Sequence, residues 1–220
     1  MKVSAIIPAK GTSRRVENKN LFKINGKTLV EMSCEKLLQC NNIDDVYIDT
    51  ESEKIIMNIE HLFKKGLKLI KRPKELATND IGANEMLVYG LHLIERCDLI
   101  VQSFATSPLI KYETIDNCIE EFLKRGNEHD SFFTASKMQE YFWDNNAKPI
   151  NFDIKKLPNS FELDPIYMET HGLYGIYSQT LLETKTRIGN NPMIIPIPKI
   201  ESFDIDDHED LEIIEQILKI

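Results

Sequence analysis

Residues 8–20 read Pro-Ala-Lys-Gly-Thr-Ser-Arg-Arg-Val-Glu-Asn-Lys-Asn. The glycine and small residues, Ala9, Gly11 and Ser13 among them, let backbone N–H groups come close to an anion. Lys10, Arg14, Arg15 and Lys19 can neutralise phosphate oxygens through charge-assisted hydrogen bonds. A nucleoside triphosphate needs both. Between Lys10 and Lys27 there are six Lys and Arg against one Glu, in a chain whose formal net charge is -8. The plainer alternative is a solvated basic loop, since charge runs are commonly just exposed. No GxGxxG is present, and Gly26-Lys27-Thr28 lacks the earlier glycine of a Walker A loop because Leu21 occupies that place.

A second constellation is Phe203-Asp204-Ile205-Asp206-Asp207. Period-2 geometry puts the carboxylates of Asp204 and Asp206 on one face around an inward Ile205. Two hard oxygen donors side by side suit Mg²⁺, which completes its shell with water and substrate phosphates. The alternative is an Asp cap on the last helix, and the two roles are compatible if different aspartates serve them. Arg72-Pro73 and residues 76–80, Asn79 included, can face the same crevice and contact base and ribose, or form an ordinary turn. Thr106 and Ser107 offer hydroxyls, although Thr-Ser-Pro is also a common helix start. His171 beside Gly172 is a further candidate. The five histidines show no paired-ligand spacing, which argues against zinc.

These residues need a scaffold, and apolar periodicity supplies one. Residues 3–8 form an apolar run that stops at a glycine-bearing loop, a buried first strand. Helical spacing follows over 28–38, alternation over 45–50, a helix from Ser52 with Ile55, Ile56, Ile59 and Phe63 as its stripe, and a strand over 67–70. The rhythm continues with a helix over 82–95, a strand over 99–101, a helix over 112–124 and a strand over 131–136. Residues 137–165 break it with Trp143, an Asn-Asn turn and three prolines, and read as an excursion. Strands over 173–177 and 193–197, with Pro196 suited to an edge, flank a short helix over 178–183, and a helix over 207–218 closes the pattern. Alternating strands and helices predict one α/β domain with a largely parallel sheet covered on both faces. In such a sheet, ligands sit beyond the carboxyl ends of the strands.

Composition sets the outer limits. At 220 residues, 42% hydrophobic and 28% charged, the chain has room for one domain with a full core. A pI near 5.2 argues against a nucleic-acid partner. Cys34, Cys40, Cys97 and Cys118 have no metal-site spacing and read as reduced and mostly buried. No run approaches the roughly 20 apolar residues of a membrane span, and none forms a signal-peptide core, so the expected location is cytoplasmic.

The segments IIPAKGTSRRVENKN, RPKELATND, ATSPL, ETHGLYGIY and ESFDIDDHEDLE, in that order and spacing, resemble the acylneuraminate cytidylyltransferase family of CMP-sialic acid, CMP-legionaminate and CMP-pseudaminate synthetases. The resemblance runs from Val3 to the last helix. It implies a Rossmann-like three-layer α/β/α nucleotidyltransferase fold, CTP and an acidic sugar as substrates, Mg²⁺ as cofactor, and release of pyrophosphate. It also implies a homodimer, with an insertion around 137–170 reaching the partner. Carried over residue by residue, Lys10, Ser13, Arg14, Lys19 and Asn20 hold the triphosphate, Arg72 the nucleoside, and Asp204 with Asp206 the metal. Glu169-Thr170-His171-Gly172 matches a variant of the family's Glu-Asn-Gly motif, placing these residues with Thr106 and Ser107 near the acceptor. The catalytic set expected on this basis is Lys10, Arg14, Lys19 and Asp206.

The chain also departs from the family pattern. Lys10 stands where the family usually has Arg, which keeps the charge and loses the planar fork. Phe104-Ala105 replaces Gln-Pro, Ile110 replaces Arg, and residues 137–165 contain no arginine. Two alternatives remain open at this point: a cytidylyltransferase for another acceptor, such as an octulosonic acid or a phosphonate, and a non-catalytic CTP-binding subunit of glycan assembly.

Overall fold

The computed structural model describes residues 1–13, 15–78, 80–126 and 128–219. The first half of the chain contains β1 (Val3–Pro8), β2 (Lys23–Ile24), β3 (Lys27–Thr28), α1 (Leu29–Leu37), β4 (Asp45–Thr50), α2 (Glu53–Asn58), α3 (Glu60–Phe63), β5 (Leu67–Lys71) and α4 (Ala83–Leu93). The second contains β6 (Leu99–Ser103), α5 (Tyr112–Lys124), β7 (Ser131–Met138), β8 (Ile166–Tyr177), α6 (Ser178–Thr184), β9 (Pro192–Pro196) and α7 (His208–Leu218). Seven strands form one sheet in the order β5-β4-β1-β6-β8-β7-β9, and β2 with β3 makes a small hairpin. The β5-β4, β4-β1, β1-β6 and β7-β9 pairs are parallel. Only β8 runs against its neighbours β6 and β7. The mostly parallel α/β architecture expected from the alternation is therefore present.

Strand alternation divides the core in two. Ala5 and Ile7 of β1, with Leu99 and Val101 of β6, face one cluster, which takes its helical side chains from α1, α2, α3, α5 and α7. Ile6 and Ile100 point the other way, to Leu87 and Leu91 of α4 and Leu181 of α6. Burial on both faces explains why these strands read as continuous apolar runs. Helix α1 starts where Thr28 and Glu31 close a capping box, and Asp207 with Asp210 does the same for α7; each cap contributes about 1 kcal/mol. The β2-β3 turn uses Asn25 and Gly26 at positive φ, the backbone that a two-residue hairpin requires.

Several expectations need correcting. The helix read from Ser52 is broken at Ile59, whose ψ of 11° leaves the helical region. The break turns Ile55, Ile59 and Leu62 inward together and leaves Ile56 and Phe63 only half-buried, so the true stripe includes Leu62. Strand β8 begins at Ile166, well before the expected 173, because β7 is also longer and pairs with it past a register shift between Phe133 and Ala135. Glu169, Thr170 and His171 consequently sit in a strand. The excursion narrows to residues 139–165, held by a Trp143–Pro149 bridge and by Phe152 stacked edge-on against Tyr141 and Trp143. As expected, β9, with Pro196, is an edge strand. Of the cysteines, Cys34, Cys40 and Cys118 are buried and Cys97 is half-buried, all with free thiols. Among the described residues no helix is long and apolar enough to cross a membrane.

Candidate active site

The loops after β1, β5 and β6 gather beyond the carboxyl ends of the parallel strands, as does the segment before α7. Ala9 is fully buried, and its N–H donates to the Asp49 carbonyl at 2.9 Å, which continues the strand into the loop. Lys10 Nζ donates to the Thr78 carbonyl at 2.9 Å, and Asn20 Nδ2 donates to the Lys10 carbonyl at 2.9 Å, so the two ends of the loop are tied. The Gly11 N–H donates to Glu51 Oε1 at 2.7 Å, and a Cβ on Gly11 would stand 2.8 Å from Ser52. Glycine is thus required by close approach to the β4 loop. Ser13 is half-buried. Arg14 and Asn79 lie outside the described residues.

The cation loop reaches the aspartates directly. Arg15 Nη2 pairs with Asp206 Oδ1 at 2.5 Å, and Lys19 Nζ donates to the Ile205 carbonyl at 2.5 Å. Burial pushes the Lys19 ammonium below its ordinary value, while Asp204 and Asp206 pull it back up. Ile205 is fully buried between two half-buried aspartates, the alternation expected from the sequence, although the segment is not part of the sheet. Asp207, not Asp206, caps α7.

Asp204 and Asp206 line one cavity of about 480 Å³ together with Ser136, Met138, Glu169 and His171. Ser107 Oγ donates to Asp204 Oδ1 at 2.8 Å, and His171 Nδ1 lies 3.7 Å from Asp204 Oδ2. The Thr106 carbonyl accepts the Ile205 N–H at 2.8 Å, so the loop after β6 braces the aspartates. Two carboxylates opening on one cavity, with further oxygen donors left to water or phosphate, fit a hard divalent cation such as Mg²⁺. Among the described residues, the one three-residue group with metal-ligand spacing is Glu31, Glu35 and His61, on the α1–α3 surface. Lys27 and Lys65 already pair with Glu35, so that cluster reads as a surface ion-pair network.

Of the other expected residues, Arg72 lies away from the cavity that Asp204 and Asp206 line, while Glu169 and Thr170 border it with side chains engaged elsewhere. Arg72 is buried and clasps Asp49 through Nε at 3.0 Å and Nη2 at 2.7 Å, leaving only Nη1 without a partner among the described residues. Thr170 turns its hydroxyl into the sheet, where it meets Thr134 Oγ1 at 2.7 Å. Glu169 Oε1 accepts the Tyr174 hydroxyl at 2.6 Å and pairs with Arg187 Nη2 at 3.2 Å. The sequence reading did not identify Arg187. It follows the left-handed Lys185 in a loop with no motif, and only the fold brings it to Glu169.

Lys36 lies behind this site. It is half-buried as a residue, but its ammonium is interior and donates to the carbonyls of Ser107 and Pro108 at 3.3 and 3.0 Å. Burial lowers its pKa to about 8. The unfolded chain, with the ordinary value of 10.5, binds this proton more tightly, so the Lys36 contribution to stability rises with pH between about 8 and 10.5. Titrating the stability of wild type and Lys36→Met side by side should show the wild type gaining on the variant from pH 8 to 10. A constant gap would place the ammonium in solvent.

The sequence profile described as Cytidylyltransferase matches residues 4–219, nearly the entire chain. The chain belongs to the cytidylyltransferase family. The cytidylyltransferase is 25% identical to a pseudaminic acid cytidylyltransferase of Campylobacter jejuni over 100% of its own length and 97% of the relative's. It is 23% identical to a 3-deoxy-manno-octulosonate cytidylyltransferase of Thermodesulfovibrio yellowstonii, with 99% and 98% covered. Against an N-acylneuraminate cytidylyltransferase of Streptococcus agalactiae, identity is 24%, over 96% of this chain and 52% of the relative. Among solved structures, a CMP:2-keto-3-deoxy-manno-octonic acid synthetase complexed with CTP superposes with a TM-score of 0.72 at 15% identity, covering 100% and 99% of the two chains. A 4-diphosphocytidyl-2C-methyl-D-erythritol synthase from Anaerococcus prevotii gives 0.69 at 14% identity, covering 100% and 96%. These likenesses confirm the nucleotidyltransferase fold, and the family establishes that the chain is a nucleotidyltransferase enzyme.

Proposed function

We propose that this cytidylyltransferase transfers CMP from CTP to a nonulosonic acid of the sialic, legionaminic or pseudaminic type, releasing pyrophosphate. The observation that carries the reading is the junction of Arg15 with Asp206 and of Lys19 with Ile205, which makes the cation loop and the aspartate pair one site. On this reading Lys10, Arg14 and Lys19, with Ser13 and Asn20, hold the triphosphate, and the nucleoside is assigned to Asn79 and to Arg72 through its remaining Nη1. The anomeric hydroxyl of the acceptor attacks the α-phosphorus; an O–P bond forms and the α–β anhydride bond breaks. Cations placed beforehand stabilise the charge that gathers on the departing pyrophosphate. Asp204 and Asp206 would hold Mg²⁺, which when bound neutralises phosphate oxygens.

The same reading includes a cytoplasmic homodimer, with residues 139–165 reaching the partner. It is supported by Trp143, Leu157 and Phe161, which leave half or more of their surface exposed in that segment. An octulosonic acid is the second acceptor to consider, on the strength of the relative named as a 3-deoxy-manno-octulosonate cytidylyltransferase.

The test is pyrophosphate release from CTP and Mg²⁺ with sialic, legionaminic, pseudaminic and octulosonic acids offered separately. Release with one of the first three supports the reading. Release with the octulosonic acid alone replaces it with the second, and CTP binding without release from any acceptor refutes both.

A further inference from the structure

Resting on the acceptor class proposed above, we infer that Arg187 is the specificity-determining residue that receives the acceptor's carboxylate. Its guanidinium lies 4.0 Å from the Tyr174 ring centroid and 5.9 Å from that of Phe104. Phe104 also meets His171 edge-on at 6.2 Å, and His171 approaches Asp204. A continuous wall therefore runs from the candidate metal carboxylate through an imidazole and two aromatic rings to a cation.

The pose of Arg187 suits exchange. Its side chain keeps 19% of its surface exposed, and its partner Glu169 keeps 40%. Such a half-open pair is weak, so a substrate carboxylate can replace Glu169 on the same fork while the stacking on Tyr174 persists. The loop around Arg187 is fixed, because its backbone N–H donates to Asn84 Oδ1 at 3.0 Å at the start of α4. The wall is also polar where simple packing would favour apolar groups. Gln102, opposite Tyr174 in the β6-β8 register, buries both amide atoms without a partner among the described residues.

The experiment compares the acid acceptor with its methyl ester, in wild type and in Arg187→Gln. Expected are a KM for the acid roughly 10- to 100-fold higher in the variant, a wild-type penalty of similar size for the ester, and little further penalty for the ester in the variant. KM for CTP and thermal stability should stay near wild type. Arg187→Lys, which keeps the charge without the fork, should fall between the two and carries the test if Arg187→Gln does not fold. Turnover with an unchanged acid KM in the variants, or with equal ester penalties in all proteins, overturns the assignment and leaves the proposed function standing. Failure of the wild type to release pyrophosphate from any acidic acceptor removes the proposed function, and this inference with it.

Discussion

Asp206→Ala is expected to lower pyrophosphate release by about three orders of magnitude, the several kcal/mol that a correctly held metal ion supplies at a phosphoryl centre. The fold should survive the change. The carboxylate's partner is Arg15, and the side chains of this pair are 63% and 47% exposed, so the pair adds at most about 1 kcal/mol to stability. The backbone of residue 206 is held independently, by its N–H donating to Asp210 Oδ2 at 2.8 Å. Removing the carboxylate therefore leaves the segment in place. Asp207→Ala is the matched contrast: it removes the α7 cap, lowers stability by about 1 kcal/mol and should spare most of the rate. A steady-state pyrophosphate assay with a melting curve for each variant checks both. If Asp206→Ala kept more than a tenth of the wild-type rate, the metal role assigned to this residue would be wrong.

The second large effect concerns Arg72. Its guanidinium and the Asp49 carboxylate each expose 1% of their side chains, and burial raises the Asp49 pKa against the pull of Arg72. Arg72→Leu would strand a buried carboxylate and should cost about 3–5 kcal/mol, a fall of roughly 6–20 °C in Tm. Pairing Arg72→Met with Asp49→Leu removes both charges and should recover most of that loss, because well-packed apolar residues replace buried ion pairs with little penalty. The double variant also separates two roles. If Nη1 of Arg72 contacts the nucleoside, stability returns while CTP affinity stays low, as calorimetric titration would show; return of both would make the pair purely structural.

What was legible in the sequence follows from how local each signal is. Helix α5 has the expected bounds because Ile115, Cys118, Ile119 and Phe122 fall on one stripe without interruption. The basic loop and the aspartate pair stood out because each lies within a short segment, and the fold brings the two together through Arg15–Asp206 and Lys19–Ile205. The break at Ile59 did not, since it answers to the burial of Leu62 by the sheet. Strand β8 looked shorter because its first half pairs only with β7 across an irregular register, where alternation fails. Arg187 was invisible for a related reason. Its partners Glu169 and Tyr174 lie on that same strand, and nothing in residues 185–190 signals that the loop folds back onto them.

The contact between Arg15 and Asp206 joins residues 191 positions apart. A ribosome making this chain therefore exposes the basic loop long before the aspartate it pairs with. Until then, the nascent chain carries a basic segment without its acidic counterpart. The junction between the two segments forms only when the stretch leading into α7 docks.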